Sequence, residues 1–227
     1  FLTDINNTSA YIELFRICEE KRSIYSLDIA LGVEFRRNNE LLYIALSQDN
    51  QGFEELCRYL SHCNAEDNPT LSRAPEFTNN FVIYPWGKWP PEMLRENEYV
   101  GVKPQEAPHI FRSPYRDYLN KLVILHPVTF KNKTGYNIHR LLKAIDQNVL
   151  LSRLDANLLS HPGEIMMPED ELLSFYRQFP QLISNTKALV ERCSIHIELG
   201  TPKNKKVFGG SLVQDRELLR GKALEGF

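Results

Sequence analysis

The chain lacks most of the features that would assign a chemistry at sight. No apolar run approaches the ~18 residues that a membrane-spanning helix requires, and no signal-peptide pattern is visible. A cytoplasmic location with no membrane partner is therefore expected. Charge of one sign is missing too: 27 Lys and Arg stand against 29 Asp and Glu, a net charge of −2. Domains that grip a phosphate backbone unaided are usually basic, so tight nucleic-acid binding by this piece alone is disfavoured. Cysteine is sparse, with Cys18, Cys57, Cys63 and Cys193 at irregular spacings and no C-x-x-C pair. That pattern points to free, buried thiols rather than a disulfide or zinc framework. No P-loop, G-x-G-x-x-G or G-x-S-x-G occurs, and none of the six histidines forms H-x-H or H-E-x-x-H.

What is present is an ordinary globular composition. At 227 residues, with 42% hydrophobic and 25% charged residues, the chain can build one large domain or two small ones. Leu2-Thr3-Asp4 reads as the tail of a buried strand, followed by the capping candidates Asn6-Asn7-Thr8-Ser9 and a helix holding Tyr11, Ile12, Leu14, Phe15 and Cys18. Further strands are expected over 27–35, ending at Glu34, and at Leu41–Leu46, Phe81–Tyr84, Glu98–Val102 and Leu122–Leu125. Helices are expected from Asp49 through Leu60, around Tyr115–Leu119 and over Tyr136–Ile145. The Pro- and Asn-rich stretch from Asn64 to Asn80 reads as a surface connection. Beyond Pro168 the pattern is purely helical: one amphipathic helix through Phe179 stopped by Pro180, and a second from Leu182 to Cys193. A basic loop, Lys203-Asn204-Lys205-Lys206, then leads to a last helix at Gln214–Leu224. Strands alternating with helices over 1–150 predict a parallel sheet in an α/β fold, and acids delivered at strand ends favour a barrel over an open sheet. The chain opens inside a strand and closes as a helix ends, which points to a fragment.

Asp4 and Glu34 are the acids best placed for function, because side chains at C-terminal strand ends face a barrel mouth. The alternative is that Asp4 caps the following helix and Glu34 is a solvated strand end. Ile5, directly after Asp4, can neither bind a metal nor move a proton. His126 follows a strand and can face the same mouth, although Pro127 comes next. His139 reads as a helix-surface residue, and His62 as a helix C-terminal cap. Trp86 and Trp89, among Pro85, Pro90 and Pro91, make a stiff aromatic loop that either packs on the domain or contacts a partner.

These residues carry a resemblance. Leu2-Thr3-Asp4 before a helix resembles the T-D-H motif of the PHP (polymerase and histidinol phosphatase) superfamily, with Ile5 in place of the histidine. Leu31-Gly32-Val33-Glu34-Phe35 resembles the G-x-E-F strand end that follows it. Ala45 and Asn50-Gln51-Gly52-Phe53 with Leu60-Ser61 are similar to a segment of bacterial DNA polymerase III alpha subunits. Phe179-Pro180, Asn185-Thr186, Glu191-Arg192-Cys193 and Ile197-Glu198-Leu199-Gly200 resemble the helices that join the PHP domain to the polymerase in that family. Leu218-Leu219 and Glu225-Gly226-Phe227 look like the start of its next segment.

The resemblance implies a distorted, seven-stranded, TIM-like β/α barrel over 1–165, whose first strand and H-x-H segment are expected ahead of Phe1, and a helical segment over 166–227 leading to the polymerase domain. In that family histidines, aspartates and a glutamate hold a metal cluster at the barrel mouth. Asp4 and Glu34 are the residual ligand positions here, whereas Ile5 replaces the motif histidine. In His126-Pro127-Val128-Thr129-Phe130, Pro127 and Thr129 stand where a later acid and imidazole belong. A divalent cluster needs neutralising oxygens and neutral imidazoles in closed geometry, so Zn2+ or Mn2+ binding is not expected. No catalytic or cofactor-binding residue is expected in this piece. The full-length parent implied by the resemblance is a DNA-directed DNA polymerase, a Mg2+-dependent nucleotidyltransferase of replication. This piece would then support the rest of the polymerase chain and dock a proofreading exonuclease subunit or other replisome proteins, with DNA bound by the full-length protein. An independent metal-dependent phosphoesterase of the PHP superfamily is the main alternative, and an interaction module unrelated to replication is the second.

Overall fold

The architecture was obtained as a computed structural model, which describes every residue except 22–23, 25–28, 38–39, 66–70, 199, 202–206 and 227. The basic loop Lys203–Lys206 therefore lies outside the described residues. The chain runs β1 (Leu2–Ile5), α1 (Tyr11–Lys21), β2 (Leu31–Arg37), β3 (Glu40–Ser47), α2 (Asn50–Ala65), β4 (Asn80–Pro85), β5 (Glu98–Val102), β6 (Leu122–Ile124), α3 (Lys133–Asp146), α4 (Glu169–Ser174), α5 (Pro180–Glu191) and α6 (Leu212–Glu225). It divides into two compact units, Phe1–His196 and Ile197–Phe227.

In the first unit six strands form one sheet in the order β1-β2-β3-β4-β5-β6. The expected parallel sheet is corrected in direction among the described residues. β1–β2, β4–β5 and β5–β6 pair in parallel, but β3 runs antiparallel to both β2 and β4. The reason is local: only residues 38–39 separate β2 from β3, and a parallel crossover needs about a dozen or more residues. β1 and β6 do not pair with each other, so the sheet is open among the described residues. Its two edges nonetheless share a cavity of about 430 Å3, lined by Phe1 to Thr3 on one side and Val123 to Val128 on the other.

Residues alternate between the two faces of the sheet. On one face Val33, Phe35, Tyr43, Ala45, Val82 and Tyr84 pack with Leu56 and Leu60 of α2. On the other, Ile44, Leu46, Phe81, Ile83, Val123 and Leu125 pack with Leu189 of α5. A third cluster joins Val100, Val102 and Leu122 to Tyr176, Phe179 and Leu182. Each such fully buried aliphatic side chain contributes roughly 1.5–3 kcal/mol relative to exposure.

Several boundaries differ from expectation. β2 runs on through Glu34 to Arg37, because Glu34, Phe35 and Arg36 all find partners on β3. The helix around Tyr115–Leu119 is a 3-10 helix, Pro114–Lys121, kinked at Tyr118. Pro180 opens α5 rather than stopping the helix before it. Proline suits the first helical position, where its missing N–H has no helical partner to lose. In the second unit α6 is capped by Ser211, whose hydroxyl accepts the Gln214 N–H at 3.2 Å. None of the residues of α6 is buried.

Candidate functional site

The geometry separates the two acids singled out from sequence. Asp4 is in register with Val33 across the parallel β1–β2 pair, and Ile5 with Glu34. Strand alternation therefore puts Asp4 on the α2-facing side with Val33, and Glu34 on the opposite side with Ile5 and Ile44. One ion cannot be held by side chains that leave a sheet in opposite directions.

Each carboxylate also has another partner. Asp4 Oδ2 accepts the Ala10 N–H at 2.9 Å, and Ala10 in turn accepts the first helical bond, from Leu14. This is a cap on α1, one of the two readings open at the sequence level. Glu34 is not a solvated strand end. Its Oε1 accepts from both Nε and Nη2 of Arg36, with the two side chains only 13% and 17% exposed. Asn6, in the left-handed region at φ 52°, bonds the backbone N–H and C=O of Arg36 at 2.9 Å each. It thereby extends the β1–β2 ladder by a side chain and fixes the strand that carries the ion pair.

Other candidate positions behave likewise. His126 Nε2 lies 3.1 Å from the Ile165 carbonyl, and Thr129 donates to Glu164 at 2.5 Å. His126, His161, Glu164, Glu106 and Lys103 line a pocket of about 200 Å3 after the C-terminal ends of β5 and β6. His139 is half-buried rather than a surface residue, its ring 5.3 Å from that of Phe130, because α3 turns Tyr136 and His139 inward. His62 lies in the last turn of α2. Among the described residues, no three His, Cys, Asp or Glu side chains come together as a metal-ligand set. The donor set present does not fit the metal cluster that the resemblance implies. All four cysteines are free but half-buried, and burial pushes the Cys193 thiol up to about 11. The tryptophan loop packs on the domain: Trp86 meets Tyr115 at 4.5 Å and Trp89 meets Tyr84 at 6.1 Å.

The most constrained polar cluster was not foreseen. Glu98, at the start of β5, is fully buried. Its carboxylate accepts the Tyr84 hydroxyl at 2.9 Å, the Arg95 N–H at 2.8 Å, and the guanidinium groups of Arg73 at 3.1 Å and Arg95 at 3.4 Å. Burial above all, with the Glu98 charge adding to it, pushes the Tyr84 hydroxyl up to about 12. Arg73 also stacks 5.1 Å over the Trp89 ring. With both carboxylate oxygens hydrogen-bonded, Glu98 is a joint between segments rather than a group free to react. No sequence signal marks it, because Arg73 lies 25 positions away, in the stretch read as a loose connection.

The residues carrying the resemblance have packing roles. A Cβ on Gly32 would meet the Ala45 carbonyl oxygen at 2.4 Å, and one on Gly52 would meet that of Asn79 at 2.0 Å. Asn185 donates to the carbonyls of Leu119 and Leu122 at 2.8 Å each, and Thr186 Oγ1 accepts the Ile124 N–H at 2.8 Å. Together they satisfy the Leu122 carbonyl and the Ile124 N–H on the outer edge of β6. Phe179 is buried in the third cluster, at the N-terminus of α5. Arg192 lies 4.6 Å over Phe81, while Asn50 and His196 exchange two hydrogen bonds of 2.7 and 3.0 Å.

No protein-family model matches the chain. Over 79 residues, 35% of its length, the chain is 25% identical to DNA polymerase III subunit alpha of Neisseria meningitidis serogroup B (strain ATCC BAA-335 / MC58). The match spans 7% of that protein, so the chain is similar to a small part of a much longer polymerase subunit.

Proposed function

We propose that this chain is the PHP-type portion of a bacterial DNA polymerase III alpha subunit, retained as a scaffold without phosphoesterase chemistry. The observation that carries this reading is the fate of the two ligand-type acids: Asp4 caps α1, Glu34 is paired with Arg36, and they leave opposite faces of the sheet. The partial likeness to a polymerase subunit supports the replicative assignment. The mixed α/β sheet, whose two edges line one cavity, supports a distorted barrel as the parent form. In this reading 1–165 is the barrel portion and 166–227 leads toward a polymerase body. That body would carry nucleotidyl transfer with Mg2+, in the cytoplasm. The role of this portion is to support it and to dock a proofreading exonuclease or another replisome protein.

The test is hydrolysis of a bis-(p-nitrophenyl) phosphate probe with added Mn2+ or Zn2+, together with metal analysis of the purified protein. The expected result is no turnover above background and substoichiometric metal, with Asp4→Ala and Glu34→Ala unchanged in both. Turnover that either substitution abolishes would instead establish a metal-dependent phosphoesterase of the same superfamily.

A further inference from the structure

We infer that the Arg36 guanidinium is a built-in counter-cation, taking at Glu34 the place that a bound metal ion would otherwise occupy. Glu34 projects from the middle of β2 onto an apolar face, where its neighbours across the strands are Ile5 on one side and Ile44 on the other. Neither can neutralise a carboxylate, and a shielded carboxylate without a partner is costly. The charge comes instead from the same strand: Arg36 is two residues on and so on the same face. Its fork reaches Glu34 through both Nε and Nη2. The arginine is itself anchored, since Asn6 bonds both its backbone N–H and its C=O. Position and neutralisation thus come from β2 itself, and anchoring from Asn6, directly after β1.

A guanidinium differs from a metal ion in two ways that matter. It is a hydrogen-bond donor and not a Lewis acid, so it coordinates no lone pair and does not activate water. It is also permanently charged and covalently fixed, so the neutralisation does not depend on metal supply. Metal independence and catalytic silence then have one cause. The argument rests on the proposed reading only in taking Glu34 as a residual ligand position; the coupling itself is a property of this chain.

The experiment is a double-mutant cycle on the full chain, read by thermal unfolding with and without millimolar MnCl2. Arg36→Met should lower the Tm by on the order of 5 °C, because it leaves Glu34 shielded and unpaired. Glu34→Gln combined with Arg36→Met should recover most of that loss. Mn2+ should leave the wild-type Tm unmoved. An Arg36→Met protein as stable as wild type overturns the inference, as does a double variant no better than Arg36→Met. A wild-type Mn2+ response that Glu34→Gln abolishes overturns it as well. Should Arg36→Met fail to fold, Arg36→Lys, which keeps the charge but not the fork, is expected to fold with a Tm below wild type, and Glu34→Gln with Arg36→Met to regain soluble yield; a double variant that stays insoluble overturns the inference. Phosphodiester turnover with the coupling intact would sink only the scaffold reading, whereas lost coupling without turnover would sink only this inference.

Discussion

At the level of single residues, polar side chains here are decided by their nearest compensating charge. Glu98 shows the strongest case: it is sealed from solvent and held by two guanidinium groups, a phenol and a backbone N–H. Removing its charge leaves Arg73 and Arg95 without their shared partner. Glu98→Ala should therefore cost about 3 kcal/mol, a fall of roughly 6–12 °C in Tm, measurable by calorimetry. Tyr84→Phe, which removes one hydrogen bond to the same carboxylate, should cost about 1 kcal/mol. Legibility at this scale was uneven. The sequence places Asp4 at the end of a strand before a helix, but leaves its cap through Ala10 as one of two open readings. Glu34 reads as a strand end but is not one, because the tripeptide that follows it continues pairing with β3. Glu98 carries no local signal, since a buried acid is recognised by its partners, and Arg73 and Tyr84 come from distant segments.

At the level of elements, helix α5 does more than add a layer. Asn185 and Thr186 present hydrogen-bonding groups at adjacent positions, and both turn them to the free edge of β6. Thr186→Val keeps the shape but removes the acceptor for the Ile124 N–H. The expected outcome is faster amide exchange at Ile124 in hydrogen-exchange mass spectrometry or NMR, with a stability loss of about 1–2 kcal/mol. Asn185 and Thr186 stood out in the sequence as part of a motif, yet their edge-sealing task could not be read there. Sequence patterning placed most elements because their apolar spacing is strong, as in α2 and the strands of the central sheet. It failed where direction is set by connection length, which reverses β3, and where a proline has two meanings. Pro180 looked like a stop and is in fact the first residue of α5.

At the level of the molecule, the interior is rich in phenols. Tyr11, Tyr43, Tyr84 and Tyr176 are all fully buried, and in each burial is the main cause of a hydroxyl held above its ordinary value near 10. A raised value means that the folded state keeps a proton that the unfolded chain has already released. Each such group therefore contributes stability that is complete below about pH 10 and declines above it. For Tyr84 the decline runs from about 10 to about 12. Stability should thus fall steeply above pH 10. Spectrophotometric titration at the phenolate band should show the buried tyrosines ionising only as the protein unfolds. Stepwise ionisation of all ten tyrosines with the fold intact would contradict this.

The seal that α5 places on β6 has a consequence for how such a sheet can grow. An uncovered strand edge is a template on which another strand can be laid, in assembly or in aggregation. Here the Leu122 carbonyl and the Ile124 N–H on that margin already have partners on α5. A strand laid beside β6 must accordingly displace these α5 side chains, which biases growth of the sheet away from that margin.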